Sequence, residues 1–227
     1  MIPVRTTNAL IGSPIERLED MRFLRGRGQY VDDLAFDRMI HAVILRSPVA
    51  HGRIRSIDKS AALRLSGIHG VITAADIGSS IPIVPLRQDG SDELKPFLQP
   101  VIADRKVRYV GEPIAVVLAD SPARGEDALE HVAVEIEPLR AVVDAAMAGT
   151  GESLLFEQAG SNLALTLTGL RGDCESALRK AAYTRRERFK VQRHGAVPME
   201  PRGLLATWDD AQQHLTLYGA AKVAFLN

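Results

Sequence analysis

The hydrophobic positions of this chain change period several times, and each change predicts an element. From Met39 to Arg46 the run is apolar and β-branched, as in a buried strand, and Ser47-Pro48 stops it because proline cannot donate to a ladder. Ile54 and Ile57 mark a second strand. Asp58 is placed to cap a short helix through Ala61, Ala62, Leu63 and Leu65, with Gly67 as its left-handed terminator. Val71 to Thr73 then return as a strand, which predicts a β-α-β unit. Val107 to Val110, the turn Gly111-Glu112-Pro113 and Ile114 to Ala119 predict strand, turn and strand. Ser121-Pro122 supplies the N-cap and first residue of a helix running to His131, and Val132, Val134 and Ile136 alternate with polar residues in a further strand.

Between these periodic stretches lie segments of another kind. The first twenty residues are turn-rich and predict an extended lead-in, with order beginning near Tyr30. The stretch from Ile77 to Pro100 holds Gly78, Pro82, Pro85, Gly90 and Pro96 with little periodicity, which predicts a long loop that crosses or covers something. The mixed pattern of helix and strand ends near Pro138, and 141–160 reads as an alanine- and glycine-rich linker with one helical turn. Beyond it Asn162 to Thr168 alternates as a strand and Gly172-Asp173 opens a short helix through Ala177, Leu178 and Ala181. Thr184 to Gln192 predicts a charged strand with Tyr183, Phe189 and Val191 on one face. Leu204 to Trp208 and His214 to Tyr218 predict a hairpin turned at Asp209 to Gln213.

Composition narrows the functional classes. In 227 residues, 46% hydrophobic and 25% charged, there is material for one large domain or two modest ones. The 28 basic and 28 acidic residues cancel, so no global field draws the chain to nucleic acid or to an anionic membrane. No apolar run approaches the roughly 20 residues of a membrane span, and Met1 to Gly12 lacks the apolar core of a secretory signal, which makes the cytoplasm the expected location. A single cysteine, Cys174, can form no internal disulfide and cannot alone hold an iron-sulfur cluster.

The candidate chemistry is thin. Gly26-Arg27-Gly28 lacks the third glycine and the following helix of a dinucleotide loop. His41, His51, His69, His131, His194 and His214 include no pair at the spacing of helical metal ligands. Asp32-Asp33, Asp209-Asp210 and Glu135 with Glu137 are paired carboxylates, expected in turns or on a wet strand face rather than in acid-base work. Arg185-Arg186-Glu187-Arg188 reads as a solvated strand face, and Cys174, at the start of a helix, as a small packing residue. No catalytic or metal residue is assigned, and the cofactor-binding residues are unknown.

Several strings resemble, in order, the opening of the molybdenum-binding large subunit of the xanthine dehydrogenase, aldehyde oxidase and aerobic carbon monoxide dehydrogenase family. They are Arg25-Gly26-Arg27-Gly28-Gln29-Tyr30-Val31-Asp32-Asp33, Leu45 to Ile54 (LRSPVAHGRI) and Gly70 to Ile77 (GVITAADI). Val107-Arg108-Tyr109-Val110-Gly111-Glu112-Pro113 continuing to Val117, Val134 to Leu139 and the Pro198 to Gly203 string complete the series. The resemblance implies an α+β fold: an extended lead-in over 1–20, an a/b hammerhead domain over 21–140, a linker over 141–150, and over 151–227 the incomplete opening strands and helix of a molybdopterin-binding domain. It implies the N-terminal portion or a split subunit of a molybdenum hydroxylase, an oxidoreductase that hydroxylates an aldehyde, heterocycle or carbon monoxide with water-derived oxygen. Activity is expected only in the complete complex. The molybdenum-molybdopterin cofactor is implied for the complete enzyme only, with FAD and iron-sulfur clusters on partner subunits and none of these on this chain alone. The expected partners are the remaining molybdopterin-binding chain, an FAD subunit, an iron-sulfur subunit and a second copy, with neither nucleic acid nor membrane. Where family members carry a glutamine after the hairpin, this chain reads Ala220-Ala221-Lys222-Val223, and Lys222 cannot accept a hydrogen bond. The alternative from another class is a stand-alone hammerhead scaffold without redox activity.

Overall fold

The structure is a computed structural model that describes residues 12–85, 92–192, 194–195, 197–198 and 202–219. Its helices are α1 (Asp20–Leu24), α2 (Ala74–Ile77), α3 (Pro122–Leu129), α4 (Ala145–Ala148) and α5 (Cys174–Lys180). Its strands are β1 (His41–Arg46), β2 (Gly52–Asp58), β3 (Ile68–Thr73), β4 (Lys106–Val107), β5 (Pro113–Ala119), β6 (Ala133–Pro138), β7 (Leu204–Asp209) and β8 (His214–Gly219). The chain divides into two units, residues 38–186 and the two ends, 1–37 with 187–227.

Two antiparallel three-stranded sheets, in the orders β1-β5-β3 and β4-β2-β6, build the 38–186 unit. β2 and β3 therefore lie in different sheets, which corrects the expected β-α-β unit. Its helix is absent too: Asp58 accepts from Ser60 N at 2.9 Å in a local turn, and Ala62–Arg64 form one 3-10 turn. Eight residues between Asp58 and Gly67 leave no room to repay helix nucleation, whereas burying Ala62 in the core closes the turn. The predicted 107–110 strand shrinks to β4 because Arg108 leaves the ladder to make a turn.

The core has two clusters, Ala62, Val71, Ala115, Val117, Ala128 and Val132, and Ala103, Val107 and Ile114, with Ile57 and Val134 packed against both. α3 forms where Ser121 Oγ accepts from Arg124 N at 3.3 Å, with Pro122 at the position where a missing N–H costs nothing. It can approach β1 closely because residue 125 is glycine: a Cβ there would fall 2.4 Å from Val43 Cγ2. The described parts of the 77–100 stretch, 77–85 and 92–100, pair with each other rather than forming a bare loop. Ile83 and Pro100 form an antiparallel bridge, flanked by Val84 N donating to Gln99 O and Val101 N to Pro82 O, each at 2.9 Å.

In the unit made from the ends, order begins earlier than Tyr30, at α1. Gly26 (φ +65°) takes the left-handed position after this helix, its N–H donating to Phe23 O at 2.9 Å while Arg27 N reaches Arg22 O at 2.9 Å. Gly28 lies under the Phe23 ring, which stacks on Tyr30 at 6.3 Å between centroids. The Gly-Arg-Gly string is thus a helix terminator. β7 and β8 pair from Leu204 with Gly219 to Asp209 with His214, and Asp209 accepts from Gln212 N at 3.0 Å in the turn. Phe36 contacts Tyr218 at 5.6 Å between ring centroids.

The predicted strands over 162–168 and 184–192 are not formed. The cause is the absence of a ladder: among the described residues no strand pairs with either segment, so their alternating side chains stay exposed.

Candidate functional site

The densest set of buried polar groups in the 38–186 unit lies where the 139–162 segment crosses the sheet β4-β2-β6. Ser47, His51, Lys106 and Glu112 are all buried, Glu112 to 1% exposure. The turn at its base begins with Arg108, whose backbone N–H and guanidinium both donate to the Glu112 carboxylate, the latter at 3.1 Å from Nη1 to Oε1. Ser47 N donates to Glu112 O at 2.9 Å and Gly111 N to Ser47 O at 2.8 Å, so the end of β1 is tied to the same turn. A buried carboxylate is tolerated here because a cation and a backbone donor face it.

Three groups at this end of the sheet then hold the crossing segment. The Lys106 ammonium donates to Leu154 O and to Glu157 Oε1, each at 2.7 Å. The Arg108 guanidinium lies 4.9 Å from the centroid of the Phe156 ring, whose other neighbour is Phe97 of the 92–100 stretch at 5.9 Å. His51 Nδ1 is 2.7 Å from Arg140 O and therefore carries the proton, and Ser153 Oγ donates to the same carbonyl at 2.8 Å. Asn162 closes the segment on itself, donating to Ala148 O at 3.0 Å and Ser153 O at 2.7 Å while accepting from Leu155 N at 3.0 Å. Burial pushes the Glu157 carboxyl up, but the Lys106 ammonium and a backbone N–H outweigh it and hold the group below its usual value. The Ser153 hydroxyl lies 3.3 Å from His51 Nδ1, but both groups donate to Arg140 O, so that nitrogen is not free to accept the hydroxyl proton. The acceptors and donors of this arrangement are consumed in docking one segment on another, which makes it a structural junction.

The sequence-predicted candidates lie elsewhere and are not brought together. Asp33 accepts from Tyr30 N at 2.9 Å in a 3-10 turn. Glu135 accepts from Ser56 Oγ at 3.3 Å and Glu137 pairs with Arg55, both on the face of β6. Asp210 accepts from Gln213 Nε2 at 3.1 Å in the hairpin turn. His69 bonds Asp120 Oδ1 at 2.6 Å, and this hydrogen bond, with the nearby Arg124, holds the Asp120 carboxyl below its ordinary value. Arg185 to Arg188 are exposed, as expected for a solvated face. Cys174 is exposed rather than packed, because α5 has no buried face. Lys222 and the apolar stretch Val223 to Leu226 lie outside the described residues. Lys106, Glu112 and Asn162 were missed by sequence reasoning, and His51 was weighed only as a metal ligand. Only Glu112 carries a signal, as a charged residue between Gly111 and Pro113 with apolar strands on either side.

The comparisons agree with the fold. Residues 25–140 match the family described as aldehyde oxidase and xanthine dehydrogenase, a/b hammerhead domain, and residues 155–226 match the molybdopterin cofactor-binding domain. The chain belongs to this family of molybdenum hydroxylase large subunits and corresponds to its N-terminal portion. The nicotine 6-hydroxylase large subunit of Paenarthrobacter nicotinovorans is 35% identical over 93% of this chain and 26% of its own length. The carbon monoxide dehydrogenase large chain of Hydrogenophaga pseudoflava is 32% identical over 88% of this chain and 26% of its own. Among solved structures, quinoline 2-oxidoreductase from Pseudomonas putida 86 superposes with a TM-score of 0.80 at 35% identity, covering 92% of this chain and 26% of that one. The chain thus spans about a quarter of the length of these relatives.

Family membership implies the molybdenum-molybdopterin cofactor, a group bound through its pterin rather than by side-chain metal ligands, and the described residues cover only part of the matched 155–226 region. Among them no three His, Cys, Asp or Glu side chains cluster to hold a metal. The recess of about 230 Å³ beside α4 is lined by Val142, Val143, Met147 and Thr150 together with Asp144 and Ser153, and Arg140 at its edge is paired to Glu152. No helix among the described residues is long and apolar enough to cross a membrane.

Proposed function

We propose that this chain serves as the N-terminal part of a molybdenum hydroxylase large subunit and works only with the polypeptide that completes that subunit. The observation that carries the reading is the exposed alternation of 162–192. Leu163, Leu165 and Leu167, then Tyr183, Phe189 and Val191, lie exposed on segments with no ladder partner among the described residues, and Leu204, Trp208, Leu215 and Leu217 of the hairpin are exposed as well. Side chains patterned for a sheet face need strands to pair with and a layer to cover them. In this reading 1–20 is a lead-in, 21–140 the hammerhead domain, 141–150 the linker and 151–227 the unfinished molybdopterin-binding domain.

The complete subunit would hydroxylate an aldehyde, a heterocycle or carbon monoxide with oxygen derived from water. The cofactor would be held by the completing polypeptide and would carry the chemistry, with FAD and iron-sulfur clusters on partner subunits. This chain's own residues position: Lys106, Arg108 and His51 dock 139–162 on the hammerhead sheet and so set where the following strands begin. Without the completing polypeptide the uncovered apolar segments would favour self-association. The location in this reading is the cytoplasm.

The test is co-expression of this chain with the part of the nicotine 6-hydroxylase large subunit that follows its matched region. The reading expects a stable complex on purification. Failure to associate, with the chain remaining monomeric at high concentration, contradicts it and favours a stand-alone scaffold.

A further inference from the structure

The sheet β1-β5-β3 has one face filled by the core and one that is not. α3 and the Ala62–Arg64 turn pack on the face of Val43, Val71, Val117 and Ala119. The antiparallel register places Ile44, Val116 and Ile72 in one rung of the other face, and Ala42, Leu118 and Gly70 in the next. Both rungs are wholly apolar. None of the six residues is buried, and Ile44, on an outer strand, keeps 37% of its surface exposed. The charged groups of this sheet stand at its margin, with Arg46 bonded to Gly111 O at 2.9 Å and Asp120 shared between His69 at 2.6 Å and Arg124 at 3.3 Å. An apolar centre with a polar rim is the anatomy of an interface.

We infer that this face, centred on Ile44, Val116 and Ile72, is a docking surface for the polypeptide that completes the large subunit. The inference rests on the reading proposed above. Size decides against a second copy as occupant. Strands about 4.8 Å apart and rungs about 7 Å apart give a patch of roughly 200 Å², against the roughly 800 Å² per partner that a stable dimer buries. A patch this small, without charge at its centre, suits a contact whose partner is already held elsewhere on the same assembly, as neighbouring domains of one subunit are. The relatives extend about three quarters of their length beyond the matched region, so such a polypeptide exists in each of them.

The test uses the full chain in a Cys174→Ser background with Ile44→Cys, alone and co-purified with the completing part of the nicotine 6-hydroxylase large subunit. Maleimide labelling at position 44 is expected to slow by about tenfold or more in the complex, and Ile44→Glu to weaken capture by about tenfold, since a charge would be taken out of water. Ile44→Thr, which keeps β-branching and adds no charge, serves to show that the sheet still folds and still associates. Association with unchanged labelling at position 44, or equal capture of Ile44→Glu, overturns this inference and leaves the proposed function standing. Labelling that slows with the concentration of this chain alone assigns the face to a second copy and also overturns it. Failure of the wild-type chain to associate at all overturns the proposed function and the inference with it.

Discussion

Lys106 and Glu157, 51 residues apart in sequence, meet at 2.7 Å, and the same ammonium donates to Leu154 O at 2.7 Å. The lysine side chain is only 8% exposed while its partner is 57% exposed, so the pair ties a buried anchor on β4 to a surface segment. Replacing Glu157 would strand the buried ammonium, whereas replacing Lys106 removes the donor to Leu154 O and to the exposed carboxylate, and that loss falls on the crossing segment first. Lys106→Met, which keeps the apolar stem, is expected to cost about 1 to 2 kcal/mol and to raise hydrogen exchange over 154–160 before any other part of the 38–186 unit. Uniform loss of protection across β1 to β6 would show that the junction does not act locally.

The same pair carries a pH dependence. Glu157 has a folded value below its usual 4.5, with the rise due to burial outweighed by Lys106. A depressed carboxylate contributes stability that is fully present above the usual value and is lost as the pH falls through the folded one. Amide shifts of residues 154–157 are therefore expected to titrate below about pH 4.5 in the native chain, and the Lys106→Met variant to move that midpoint upward.

Asp76 gives a second acid-sensitive point. Lys59 bonds its carboxylate, as do Thr73 Oγ1 and Thr73 N at 2.7 Å each, and together they hold it at about 2. Because the side chain is 40% exposed, solvent screening discounts this shift. Asp76→Asn is expected to cost about 1 kcal/mol at neutral pH, with the difference from wild type vanishing by about pH 2, the sign required of a lowered carboxyl. Urea melts at pH 7 and pH 2 check it.

The contact of α3 with β1 is tested by overfilling it. Gly125→Ala would set a methyl 2.4 Å from Val43 Cγ2, and the expected cost is about 1 to 3 kcal/mol. Val43→Ala in the same chain removes that methyl and should recover part of the loss. Equal stability of the Gly125→Ala chain and wild type would mean that α3 moves away freely.

What could be read from the sequence was local. β1, β5, α3 and the β7-β8 hairpin are encoded by their own period, cap and turn residues, and Ser121-Pro122 opens α3 where expected. Pairing was not legible, since β1 finds β5 and β2 finds β6 across distant stretches, and nothing near Val71 says that its strand belongs to another sheet from Ile54. The junction was hidden for the same reason. His51 and Lys106 look ordinary until distant carbonyls meet them, and Asn162 until its own segment folds back on it. The alternation over 162–168 and 184–192 encodes a face and not a partner, so it predicts strands that form only where a ladder is supplied.

The most direct measurement of the central claim is the molybdenum content of this chain purified alone and with the completing part of the nicotine 6-hydroxylase large subunit, each from cells making the cofactor. The account predicts no molybdenum on the chain alone and about one atom per complex, the cofactor carrying the metal into a site the protein shapes. Molybdenum retained in stoichiometric amount by this chain alone would contradict it.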